Sequence, residues 1–163
     1  MALKTQVHAE EGKQEVIITR DFDLPLDLLF KAYEDPDIVS QWMGTRVVKL
    51  ENRNHGSWQF ETSDPEGNVV FSAHGTIHSF VPNKKIVRTF EMDNAGFEVQ
   101  LEFLEFEELA SDKSKLTMHI VYRSLAQRDQ MMSLPFRQGI NMAHNQLQAV
   151  LEKLKPSQHG KEA

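Results

Sequence analysis

"PFRQGINMAHNQLQAVLEKL", residues 135–154, is the stretch from which the fold can be read. Phe136, Ile140, Ala143, Leu147, Val150, Leu151 and Leu154 recur at steps of three and four, which lays an apolar stripe along one side of a helix. Ser133 reads as the N-cap of this helix and Pro135 as a first-turn residue, where its missing N–H costs little. At a rise of 1.5 Å per residue such a helix is a rod of about 30 Å, as long as a small domain is wide. An apolar stripe of that length has to be buried, so the chain must supply a matching surface.

The middle of the chain supplies it. From Thr45 onward the period of the sequence is two, in "TRVVKLEN", "GSWQFET", "VVFSAHGTIHSFV", "KIVRTFEM", "GFEVQLEFLEFEEL" and "KLTMHIVYRS". Turn-like "NRNHG", "SDPEGN", "PNK", "DNA" and "ASDKS" separate these runs, which predicts six strands joined by short hairpins. "QEVIITRDFD", residues 14–23, adds an earlier strand. In residues 97–103 the apolar Phe97, Val99, Leu101 and Phe103 alternate with Glu98, Gln100 and Glu102. This predicts the first set facing the core and the glutamates, with Glu105, Glu107 and Glu108, forming a wet outer face. Arg88 and Glu91 point to opposite sides of their strand by parity, so at most one of them looks inward.

Between the first strand and the rest lie two short helical segments. Pro25 suits a first turn, and Leu28, Leu29 and Ala32 keep helical spacing up to Tyr33. Asp35 can cap a second helix that Pro36 begins and Gly44 ends. That second helix carries Trp42, one of only two tryptophans. It can serve as an anchor burying on the order of 200 Å² of aromatic surface. The expected fold class is α+β, with a curved seven-stranded antiparallel sheet wrapped around a long C-terminal helix and two short helices after the first strand.

Composition bounds the function. The 163 residues fit one domain at 13–155, with residues 1–12 expected as a disordered tail and 156–163 as a flexible one. A net charge of −6 with scattered Lys and Arg gives no electrostatic footprint for nucleic acid. No apolar run reaches the roughly 20 residues that cross a bilayer, and "MALKTQVHAEEGKQE" has no apolar signal centre, so no membrane insertion and a cytoplasmic setting are expected. Without cysteine there are no thiolate sites or thiol nucleophiles. His74 and His78 sit four apart in a strand, about 13 Å, too far to share one ion, so no metal is expected there. There is no Gly-x-Ser-x-Gly, Gly-x-Gly-x-x-Gly or phosphate loop, and no catalytic residue or cofactor is assigned.

Several motifs, in order, resemble the START-like (SRPBCC, helix-grip) superfamily, and within it the family named for the activator of the heat-shock chaperone ATPase. They are Arg20-Asp21-Phe22-Asp23-Leu24-Pro25, Phe30-Lys31-Ala32-Tyr33-Glu34-Asp35-Pro36 and Trp42-Met43-Gly44, then "HGSWQF", "GTIHSFVPNKKIVRTF" and the closing "RDQMMSLPFRQGINMAHNQLQAVLEKL". The resemblance runs from about Gln14 to Leu154, with one departure: His55-Gly56 stands where the family often has a Gly-Gly pair. It implies a cavity between sheet and helix that takes a small hydrophobic molecule of lipid, polyketide or aromatic type, and a second role for Trp42 as part of a gate over that cavity. On this reading the cavity residues are Trp42, Trp58, Phe60, Phe71, His74, His78, Phe103, Met118, Met132, Phe136 and Ile140. His119 is a further candidate for hydrogen bonding in the cavity. Alternatives stay open: a chaperone ATPase-activating cofactor with a chaperone as partner and a role in stress response, or a cyclase- or hydrolase-like enzyme using the same cavity. Either a monomer or a homodimer fits.

Overall fold

The computed structural model describes residues 3–155. The elements run β1 (Gln6–His8), β2 (Glu15–Phe22), α1 (Leu26–Glu34), α2 (Pro36–Met43), β3 (Arg46–Leu50), β4 (Ser57–Ser63), β5 (Val69–Val81), β6 (Lys85–Met92), β7 (Gln100–Ala110), β8 (Lys113–Val121), α3 (Leu125–Met132) and α4 (Phe136–Glu152). One antiparallel sheet holds all the strands in the order β1-β2-β8-β7-β6-β5-β4-β3. Strands β3 to β8 form a meander, and the α1–α2 connection carries the chain from β2, beside β8, to the opposite edge. The sheet therefore has eight strands, not the seven expected. The extra one, β1, lies within the stretch read as a tail, which is too polar to show strand periodicity. The expected tail at 156–163 lies outside the described residues.

The short helices follow the sequence signals. The Asp35 side chain accepts hydrogen bonds from the Asp37 and Ile38 N–H groups, Pro36 opens α2, and Gly44 closes it in the left-handed region at φ 64°. The C-terminal region departs from expectation. Ser124 caps an additional helix, α3, by accepting from the Gln127 N–H. Ser133 ends that helix instead of starting α4, and α4 begins after Pro135 with no side-chain cap.

One local strain follows from the departure noted in the sequence. His55 adopts φ 68°, a conformation that glycine takes freely and a Cβ resists. Gly75 is required for a different reason: a Cβ there would lie 1.9 Å from the Thr89 carbonyl oxygen and 2.7 Å from Trp58 Nε1. Through that notch the Trp58 indole donates to the Thr89 carbonyl at 3.1 Å.

The core lies between the inner sheet face and the helices. Its largest fully buried members include Trp58, Phe22, Phe30, Leu104, Leu116, Leu147 and Leu151. Burial along α4 is graded. In its C-terminal half His144, Leu147, Val150 and Leu151 are buried, whereas Phe136, Ile140 and Ala143 in the first half are only half-buried. The edge of α4 facing β1 is tied down by polar groups. Arg20, buried on β2, donates from Nη1 to Asn145 Oδ1 at 2.9 Å, and the Thr5 N–H donates to Asn141 Oδ1 at 3.0 Å. The Thr5 hydroxyl lies 2.7 Å from His144 Nδ1, while His144 Nε2 has no partner among the described residues. No helix among the described residues is long and apolar enough to cross a membrane.

Burial, reinforced by the Arg20 charge, lowers the His144 pKa from 6.5 to about 3. The folded state therefore binds fewer protons than the unfolded chain between these values, and stability falls as pH drops through that window. Stability by urea denaturation should be about 2 kcal/mol lower at pH 5 than at pH 7.5 on account of this one group. His144→Gln should remove that difference; an unchanged pH slope in the variant would show that His144 is not its source.

Candidate functional site

Because the first half of α4 stands off the sheet, a cavity of about 980 Å³ opens beneath it. Met118 and Ile120 of β8, Phe60 of β4 and Phe90 of β6 form its sheet wall. Phe136, Ile140 and Ala143 of α4 form the roof, with Met131 of α3 at one side. Val39, Trp42 and Met43 of α2 close another side. Exposed lining residues, Ala95 in the β6–β7 loop, Leu134 between α3 and α4, and Met142, mark the mouth.

Trp42 is an anchor that also lines the cavity. It is 7% exposed, donates its indole N–H to the Ala32 carbonyl at 2.7 Å and packs edge-on against Tyr33. Another edge of the same residue lines the cavity. The helix that the Asp35 cap and Gly44 delimit is thereby fixed to α1 and also forms cavity wall.

The wall is not wholly apolar. Arg88 and Glu102 both face inward, with side chains 10% and 5% exposed. Arg88 Nε donates to Glu102 Oε1 at 2.9 Å, and Gln100 Nε2 donates to Glu102 Oε2 at 2.9 Å. Both carboxylate oxygens are thus occupied. The Arg88 guanidinium also lies 5.0 Å from the Trp58 ring centre, in cation–π contact. Tyr33 lines the same space, and burial raises its phenol pKa, with Arg88 opposing that shift and Glu102 adding to it. Tyr122, at the end of β8, is buried beside them with its hydroxyl unpartnered among the described residues. Its pKa too is raised, by burial first and then by the Glu102 charge. Neutral phenols therefore surround a buried ion pair.

Of the residues expected in the cavity, Trp42, Phe60, Met118, Phe136 and Ile140 line it. Trp58 is buried on the same sheet face but is covered by Phe60, Phe90 and the Arg88 guanidinium. Phe71 is packed against the core away from the opening, and Met132 is displaced by its neighbour Met131, since α3 turns a different face inward. His74 and His78 are exposed; His74 pairs with Asp93 at 3.0 Å and Glu91 at 3.5 Å. Phe103 lies on the outer face, its ring 5.6 Å from that of His119, which pairs with Glu15.

The Phe103 error is one of register. On β7 the inward set is Gln100, Glu102, Leu104 and Phe106, the reverse of the parity read from residues 97–103. Residues 97–99 are not strand, and the pairing of Leu104 with Met118 and Phe106 with Leu116 sets the register. The signal was present downstream, where Leu104 and Phe106 alternate with Glu105 and Glu107. Glu102, read as solvated, is therefore the buried partner of Arg88.

Comparison with known proteins places this geometry. A family model described as activator of Hsp90 ATPase homolog 1-like protein matches residues 23–152. No curated protein sequence matches significantly. Among solved structures, a Rhodobacter sphaeroides protein superposes with a TM-score of 0.81 at 17% identity, covering 92% of this chain and 99% of its own. A Mycobacterium smegmatis protein gives 0.80 at 18%, covering 97% and 100%. An Arthrobacter aurescens protein gives 0.79 at 17%, covering 91% of each. At these identities the structures share the fold.

Removing one member of a buried ion pair strands the other. Arg88→Met should destabilise the protein by about 3–5 kcal/mol, and the double variant Arg88→Met/Glu102→Leu should recover most of that loss. Urea titrations of the single and double variants measure the coupling; additive losses would mean that the two side chains do not depend on each other.

Proposed function

The chain belongs to the activator of Hsp90 ATPase homolog 1-like family, and from that premise we propose that the protein binds a small hydrophobic molecule in the cavity beneath α4. The observation that carries the reading is the cavity itself, about 980 Å³ and walled largely by Phe, Met, Ile and Trp side chains. That volume is at the upper end of the roughly 300–1,000 Å³ typical of small-molecule sites. Methionine at three of its walls, Met43, Met118 and Met131, supplies an adaptable surface suited to guests of varied shape. The guest is of lipid, polyketide or aromatic type and the setting cytoplasmic. Trp42, Phe60, Met118, Phe136 and Ile140 make the contacts.

Native mass spectrometry of freshly purified protein should show a co-purified small molecule, and N-phenyl-1-naphthylamine should bind saturably with enhanced fluorescence. Ala143 is half-buried on the roof, so Ala143→Trp fills the cavity from a position that can accept bulk. This variant should weaken dye binding by about tenfold or more, equivalent to at least about 1.4 kcal/mol, with its melting temperature little changed. Equal dye affinity in parent and variant would remove the site from beneath α4.

A further inference from the structure

The chemistry of the cavity wall narrows the kind of guest, an inference that rests on the cavity-binding reading above. Arg88 contributes only Nε to Glu102; its two terminal nitrogens have no partner among the described residues and are not sealed inside the core. They therefore border the open space that Arg88 lines. The same holds for the Gln100 carbonyl oxygen, since Gln100 spends its amide N–H on Glu102, and for the Tyr33 hydroxyl. Donors and an acceptor thus converge on one patch of an otherwise apolar cavity. The patch is recessed: Arg88 lies four strand residues, about 13 Å, from Met92, where β6 ends at the loop that bears the rim residue Ala95.

Charge decides what fits there. Glu102 already balances Arg88 at 2.9 Å, and both carboxylate oxygens are occupied. An anionic head would bring a second negative charge beside Glu102 and leave the buried cluster with a net charge, which a low-dielectric site penalises. A hydrocarbon end would leave the Arg88 nitrogens without water and without a partner. We propose that the cavity selects amphiphiles with an uncharged hydrogen-bonding head, a carbonyl or hydroxyl, seated on the free Arg88 nitrogens beside Gln100 and Tyr33, with the apolar body extending towards the α3–α4 mouth.

A matched series on one scaffold tests this: butylbenzene, 4-phenyl-2-butanone, 4-phenyl-1-butanol and 4-phenylbutanoate, each displacing N-phenyl-1-naphthylamine from the full-length protein at pH 8. The ketone and the alcohol should bind more tightly than the carboxylate. In Arg88→Met/Glu102→Leu, which replaces the ion pair by apolar groups of similar bulk, the ratio of ketone to butylbenzene affinity should fall about tenfold or more, while the dye still binds. Tyr33→Phe should lower the same ratio more modestly, and it supplies the comparison if the double variant does not fold. A ratio unchanged by the variants, or tighter binding of the carboxylate than the ketone in the parent, would overturn the head-group assignment and leave the cavity reading intact. Absence of dye binding in the parent would overturn both.

Discussion

Full apolar burial of α4 is confined to its C-terminal half, while its first half is tied to the β1 edge by polar groups, and the rest of the architecture follows from that. Leu147 and Leu151 are completely buried, so the C-terminal half of α4 contributes on the order of several kcal/mol of apolar burial to the fold. The helix is a single rigid rod, so its first half must continue in the same direction regardless of what lies beneath it. Phe136, Ile140 and Ala143 are apolar and therefore face the sheet, yet they are only half-buried because the sheet and the short helices leave space there. A core packed to normal density along the whole helix would have filled that space with large side chains. The cavity is the volume left where the apolar face of the first half of α4 is not met by side chains from the sheet.

An apolar cavity with an ion pair in its wall is costly to build. Desolvating Arg88 and Glu102 carries a penalty that their attraction only partly offsets, and an apolar pair of the same volume would often serve stability as well or better. Several features reduce the cost. Gln100 satisfies the second carboxylate oxygen, the Trp58 ring lies against the guanidinium, and the Trp58 indole is itself satisfied by the Thr89 carbonyl through the notch at Gly75. A residual cost persists in the Tyr122 hydroxyl, which is buried without a partner among the described residues.

Much of the fold was legible because it rests on strong periodicity and local chemistry. The α4 stripe, the Asp35–Pro36–Gly44 helix and the strands from Arg46 to Val121 all follow from signals that act within a few residues. What escaped the sequence was non-local. Strand β1 has only three residues and is held by its pairing to β2, as in Val7 with Ile18, and by Thr5 contacts to α4, none of which leaves a periodic trace. Helix α3 exposes most of its surface and is weakly amphipathic, so its sequence lacks a helical stripe. The decisive case is β7, which carries apolar residues on both faces in its first half. There parity alone is ambiguous, and only the partners Met118 and Leu116 fix which side is inside. One step of register is the difference between a solvated Glu102 and a buried one, and it moved the polar centre of the site from invisible to central.

The polar ties on the outer side of α4 bear on how the cavity works. Arg20, Thr5, Asn141, Asn145 and His144 fix the helix against β1 and β2, while Gln148 accepts from the Asp23 N–H at 3.0 Å nearer its C-terminal end. Directional bonds of this kind set the position and rotation of α4 in a way that greasy contact does not. A helix so placed cannot collapse onto the sheet to fill the void without breaking them, and these partly buried bonds are costly to leave unmade. The cavity is accordingly pre-formed. Under the proposed binding, a guest would order little protein, so the apolar area it buried and the hydrogen bonds it made to Arg88 would appear in its affinity with little subtracted for rearrangement. On that proposal, adaptation would fall to the methionine side chains at the walls and selectivity to the fixed polar patch.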